Sequence, residues 1–227
     1  MLTLNNRLSV CADLVTKGGT AVDVGTDHAY LATYLVLNNI SKNVIACDIN
    51  EKPLNTARQT LERYNVSDRI KLLKSDGLKN VPDENVTDVI IAGMGGELIS
   101  SIIENAQWLK RGTNIIAQPM TKAEALRKWL YENGYKILSE KAVTDENFTY
   151  SVMQIVYSGE KVIVSELFSY TGLIDENDLE GKKYLMLQAG RLNKISKGLE
   201  NSDGKKKQAQ KYKELYESIL KRIGELL

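Results

Sequence analysis

The chain holds one histidine, and it follows an aspartate: VDVGTDHAYL, residues 22–31, gathers Asp23, Gly25, Thr26, Asp27, His28 and Tyr30 into one short run. An apolar run ending in acid-x-Gly reads as a strand turning into a ligand loop, with Gly25 allowing a tight turn and close backbone approach. Thr26 or Asp27 can cap the helix that follows. A diphosphate cradle needs neutral, N–H-lined turns and uses the later glycines of GxGxxG; GTDHAY keeps only the first. Asp27 would repel a diphosphate but complement a ligand carrying ammonium and sulfonium charges. His28 reads either as a ligand-facing ring or as one held by a backbone hydrogen bond.

Two further signals lie downstream. Asp48 ends the strand-like VIACD, where an acid can accept both hydroxyls of a ribose, with Ile49 and Asn50 shaping the adenine side. SDGL, residues 75–78, puts Asp76 and Gly77 after the next strand, where a carboxylate can take an exocyclic amine. Each segment alone also reads as an ordinary turn or helix cap. Together, in order and each at a strand's carboxyl end, they point to a nucleoside cofactor. AGMGGEL, residues 92–98, follows the fourth strand as a Gly-rich loop. Gly93, Gly95 and Gly96 let backbone approach a planar ligand, and Met94 offers a flexible apolar contact.

The elements that must position these residues alternate. After an amphipathic helix near residues 4–15, five strand-like runs (AVDVG, NVIACDI, RIKLLKS, TDVIIAG, NIIAQ) interleave with helical segments, which implies βαβ units and a parallel sheet. After Gly134 two β-rich runs, YKILSEKAV and TYSVMQIVY, are joined by DENF with no crossover, so they should pair antiparallel. That ending resembles the seven-stranded, Rossmann-like α/β sheet of the class I S-adenosylmethionine methyltransferases rather than a six-stranded dehydrogenase sheet. The expected catalytic domain is 1–160. The expected second unit, 161–227, is a helical hairpin: Leu185, Leu192, Ile195 and Leu199 recur at helical spacing, NSDG (residues 201–204) breaks the run, and Tyr212, Leu215, Ile219, Ile223 and Leu226 form a coiled-coil-like seam.

Composition limits the classes. Of 227 residues, 43% are hydrophobic and 26% charged, enough for a full core. The N-terminus lacks a leader pattern and no apolar stretch approaches a bilayer span, so a cytoplasmic location is the expectation. Cys11 and Cys47 lack metal or disulfide spacing; buried, reduced thiols and no metal are expected. The net charge of +1 conceals an asymmetry: residues 179–227 carry 12 Lys and Arg against 6 Asp and Glu, which leaves the body acidic. A basic tail suits a polyanion.

Arg7-Leu8, the run from Asp23 to Leu31, the acid after VIAC, SDGL, IAGMGGE and AQPM (residues 117–120) together resemble the bacterial tRNA adenine-22 N1-methyltransferases over nearly the whole chain. The resemblance implies S-adenosylmethionine as methyl donor and N1 of adenine 22 of tRNA as acceptor. It implies cofactor contacts at Asp23, Gly25, Asp48, Asp76, Gly77 and Gly93, to which Thr26, Ile49 and Asn50 are added from their positions. Asp27, His28, Tyr30 and Met94 fall on the target-base side; whether Asp27 serves cofactor, base or both stays open. The AGMGGEL segment lacks the Asn/Asp-Pro-Pro-aromatic set that holds an exocyclic amine, so N6 chemistry is disfavoured. Arg7 and the tail cations Arg191, Lys194, Lys205, Lys206 and Lys207 are the expected RNA contacts, and a monomer is expected. Methylation of another RNA or a small molecule, a nicotinamide oxidoreductase and a non-catalytic tRNA-binding module are the alternatives.

Overall fold

The structure, a computed structural model, describes residues 2–200 and 204–225. Helix α1 (Asn6–Asp13) precedes β1 (Thr20–Val24), α2 (Tyr30–Leu37), β2 (Asn43–Asp48), α3 (Glu51–Tyr64) and β3 (Ile70–Lys74). Then come β4 (Val86–Gly95), α4 (Gly96–Glu104), a 3-10 turn (Gln107–Arg111), β5 (Asn114–Thr121) and α5 (Ala123–Glu132). The hairpin β6 (Tyr135–Asp145) and β7 (Phe148–Tyr157) is followed by α6 (Glu166–Thr171), α7 (Leu179–Glu200) and α8 (Lys206–Arg222).

The seven strands form one sheet in the order β3-β2-β1-β4-β5-β7-β6. Strands β1 to β5 run parallel, because each crossover carries a helix or long connection back over the sheet. β7 folds back from β6 across a two-residue turn and enters between β5 and β6, antiparallel to both. Successive strand residues face opposite layers: Val22, Ile45, Val89 and Ile115 join the core under α4 and α5, while Ala21, Val44, Ile90 and Ile116 join the one under α1, α2 and α3.

A third apolar cluster holds the tail. Leu185, Ala189 and Leu192 of α7 close on Leu215 and Ile219 of α8, with Ile223 beyond its end. The helical hairpin is thus present, with one change in its seam. Ile195 is 41% exposed, and Ser196 turns inward instead, its hydroxyl donating to the Ala209 carbonyl. Residues 201–203 of NSDG, and Leu226, lie outside the described residues.

Arg127 of α5 joins the tail to the sheet. Its side chain and that of Glu140 on β6 are fully buried, paired at 2.7 Å. The guanidinium also donates to the Ser169 carbonyl and the Tyr184 hydroxyl. Burial opposes its charge most strongly, but the attraction of Glu140 and Tyr184 and the hydrogen bonds to both together hold the guanidinium pKa above its usual value. A Cβ on Gly172 would meet Glu140 Oε2 and Arg127 Nε, so only glycine lets the chain pass over this pair.

Candidate functional site

The carboxyl ends of β1, β2 and β4 meet along one edge. At β1, the Gly25 and Thr26 N–H groups both donate to the Cys47 carbonyl of β2, at 2.8 and 2.9 Å. Those donors are spent within the sheet, so the turn is no phosphate cradle. Gly25 has φ +74°, and a Cβ there would lie 2.2 Å from Cε of Met94. Thr26 caps no helix; its hydroxyl donates to Asp23 Oδ2 at 2.7 Å. Burial lifts the Asp23 carboxyl to about 6, with the Thr26 hydrogen bond opposing the rise.

α2 begins later than the sequence pattern indicates. His28 and Ala29 adopt left-handed φ of 59° and 53°, and Ala29 stands at the N-cap position without a side-chain cap. Neither Thr26 nor Asp27 has the capping role expected of it, because two left-handed residues turn the loop outward before the helix starts. The turn exposes Asp27 (side chain 81% accessible) and pairs its Oδ1 with His28 Nε2 at 3.3 Å. The His28 and Tyr30 rings stack in parallel, 5.3 Å between centroids and 5° between planes.

At β2, Asp48 accepts from the Asn50 N–H through Oδ1 at 2.7 Å. Its other oxygen has no hydrogen-bond partner among the described residues, and Ile49 beside it is 55% exposed. At β3, Asp76 pairs with Lys79 and Gly77 packs on Ile102. A free carboxylate oxygen, an exposed apolar side chain and a glycine turn side by side suit an adenosine-type ligand.

The AGMGGEL segment is not a loop. β4 continues through Gly95 with register shifts around Met94, and α4 begins directly at Gly96. A Cβ on Gly96 would lie 2.3 Å from the Lys122 carbonyl, so its role is close packing of α4 on the start of α5. Gly93 donates its N–H to Gln118 Oε1 at 3.0 Å, and the same oxygen accepts from Arg7 Nη1 at 3.0 Å. Arg7 also pairs with Asp145 at 3.5 Å. Its guanidinium, 22% exposed, is therefore held beside Gly93 at the carboxyl edge of β4 and β5. Arg191, Lys194, Lys205, Lys206 and Lys207 are all exposed.

Three groups received no role from sequence: Gln118, the Arg127–Glu140 pair and the hairpin aromatic Phe148. Arg127 left one signal, a charge on the inward stripe of α5 between Leu126 and Leu130. Cys11 and Cys47 are free and buried, as expected, and burial pushes both thiols up to about 12. The described residues contain no His, Cys, Asp and Glu cluster suited to a metal, and no helix long and apolar enough to cross a membrane.

A methyltransferase-domain family model matches residues 4–153. The tRNA (adenine(22)-N(1))-methyltransferase of Bacillus subtilis is 33% identical over 153 residues, covering 67% of this chain and 64% of that protein. The solved structure of the B. subtilis M1A22 tRNA methyltransferase TrmK superposes with a TM-score of 0.83 at 27% identity, over 98% of this chain and 99% of that one. M. capricolum TrmK, solved with S-adenosyl-homocysteine, superposes with a TM-score of 0.80 at 29% identity, over 99% of both chains. The sequence match to the B. subtilis protein thus spans just under two thirds of its length, whereas the structural matches run nearly end to end.

Proposed function

The chain belongs to the methyltransferase-domain family, among its tRNA (adenine-22-N1)-methyltransferases, and from that membership we propose that it transfers a methyl group from S-adenosylmethionine to N1 of adenine 22 in tRNA. The carrying observation is the edge itself: Asp23 and Asp48 stand in the carboxyl ends of β1 and β2, Asp76 follows β3, and the Gly25 turn spends its N–H groups inside the sheet. That arrangement favours a cationic nucleoside over a diphosphate, and so disfavours a nicotinamide cofactor.

When bound, the cofactor supplies a methyl carbon attached to a positively charged sulfur. Asp48 offers its free oxygen to the ribose hydroxyls, Ile49 and Asn50 flank the adenine side, and Asp76 with Gly77 addresses the exocyclic amine. Asp23, steadied by Thr26, adds negative charge beneath the Gly25 turn, and Gly93 shapes the opposite wall.

Adenine N1 carries a lone pair and needs no base to activate it. The N1–carbon bond forms as the carbon–sulfur bond breaks, and positive charge passes from sulfur to the purine. The protein contributes chiefly by holding the reactants in line. Asp27 stabilises the charge arriving on the base, His28 and Tyr30 supply a stacked pair of rings on which it rests, and Met94 makes the apolar contact beside the transferred methyl. The target lies within folded tRNA and must leave its stack to reach this edge. Arg191, Lys194, Lys205, Lys206 and Lys207 contact the RNA backbone, and the enzyme acts as a cytoplasmic monomer without a metal.

Incubating the protein with a tRNA transcript and methyl-labelled S-adenosylmethionine, then mapping the label, tests the reading. Label on N1 of adenine 22 is expected; label on another atom or nucleotide, or tRNA binding without transfer, overturns it.

A further inference from the structure

Beside the methyl-transfer edge, between the ends of β5 and β7 and the face of α7, lies a cleft of about 580 Å³. Its position follows from the sheet order. The adenosine-facing acids sit at β2 and β3, the Gly25 turn at β1 and Met94 at β4; the next strand outward is β5, whose Pro119 pairs with Met94 in the ladder and whose Met120 lines the cleft. Because β7 runs antiparallel, its amino end reaches this same edge and brings Phe148 and Tyr150 to the cleft wall. Phe148 is 62% exposed, unusual for a phenylalanine, with its ring 6.3 Å from that of Tyr150.

The α7 wall is mixed, with Tyr184 and Leu187 beside two polar groups, Gln188 and Arg191. Gln188 is buried to 6% exposure, so its amide is held in place against the cleft. Arg191 makes no ion pair among the described residues. An exposed aromatic, a buried amide and a guanidinium lining one cleft match a base, its hydrogen-bonding edge and its phosphate.

We infer that this cleft holds a nucleotide adjoining the target adenine, its base stacked on Phe148, its edge read by Gln188 and its phosphate held by Arg191. The inference rests on the reading that the substrate is tRNA. It gives the β6–β7 turn and α7 a shared role, in which they grip the strand beside the flipped base and so help to keep that base out of its stack.

The test uses the full chain and a tRNA transcript carrying 2-aminopurine at one neighbour of the target, with each neighbour tried in turn. Wild-type protein should quench the fluorescence at one of the two positions, and Phe148→Ala should abolish that quenching. Phe148→Ala and Arg191→Ala should each raise KM for tRNA by roughly tenfold, leaving S-adenosylmethionine affinity and the melting temperature unchanged. Wild-type transfer with no quenching at either neighbour, or with unchanged KM in both variants, overturns the cleft assignment alone. No transfer to tRNA by the wild-type protein instead overturns the reading on which it rests.

Discussion

Met94 lies across the Gly25 turn, with Cε 2.2 Å from the point a Cβ on Gly25 would occupy. β4 and β1 are neighbours in the sheet, so the bulge that shifts register around Met94 also aims its side chain at the turn. Gly25→Ala would therefore push aside the flexible end of Met94 at small cost, and hold a side chain at positive φ, which costs about 1–2 kcal/mol. Calorimetry should show S-adenosylmethionine affinity reduced at least tenfold by Gly25→Ala. Adding Met94→Ala should restore little of it, because only the small collision is relieved. Full recovery in the double variant would show that the backbone contributes nothing.

Asp23 should make cofactor affinity depend on pH. Its pKa is about 6 in the folded chain, against an ordinary value of 3.8. Between about pH 4 and 6 the native state thus binds more protons than the unfolded one, so stability falls as pH rises through that window and levels off above it. A cationic ligand beside Asp23 favours the carboxylate, so its affinity should rise over the same range. Titrations at about pH 5.5 and 7.5 should differ for the wild type and coincide for Asp23→Asn; equal affinities in the wild type would sink the assignment.

The exposed Asp27 and the His28–Tyr30 stack should serve transfer and not cofactor binding. Asp27→Ala is expected to lower kcat on the order of 10²-fold, the scale for removing one group that stabilises developing charge. His28→Ala should chiefly raise KM for tRNA, because it removes a stacking surface. Unchanged turnover in both variants, or loss of S-adenosylmethionine binding, would count against these roles.

Breaking the Arg127–Glu140 pair should unfold the join between tail and sheet. Removing one partner of a buried pair costs about 3–5 kcal/mol, because the other charge is stranded. Glu140→Gln should therefore lower the melting temperature sharply, while a double replacement by apolar residues of similar volume should recover much of the loss. A melting temperature that Glu140→Gln leaves in place would show that the pair is dispensable.

Charge reversal at Lys205, Lys206 and Lys207 should weaken tRNA binding without altering S-adenosylmethionine affinity. The slope of log affinity against log salt should flatten by about 0.9 for each phosphate no longer neutralised, taking the value for duplex nucleic acid. A salt slope equal to that of the wild type would assign the basic face another partner.

The sequence by itself determined the parallel sheet, the antiparallel ending and the row of acids at the strand ends. Each is a local signal: period-2 and period-3.6 burial mark the elements, and a turn residue after an apolar run marks the edge where ligands collect. The DENF and AGMGG segments read locally as loops, yet Asp145 and Phe148 pair within the hairpin and Gly93 to Gly95 extend β4. Ladder hydrogen bonds to a neighbouring strand overrode the turn propensity of those residues. Only the tertiary structure decided that Arg7 reaches Gln118 and Asp145, that Met94 rests on Gly25, and that Phe148 and Arg191 line one cleft. These relationships join residues far apart in the chain, and they depend on which strands and helices the sheet order brings side by side. Periodicity records which face of an element is buried; it carries no record of which distant element buries it.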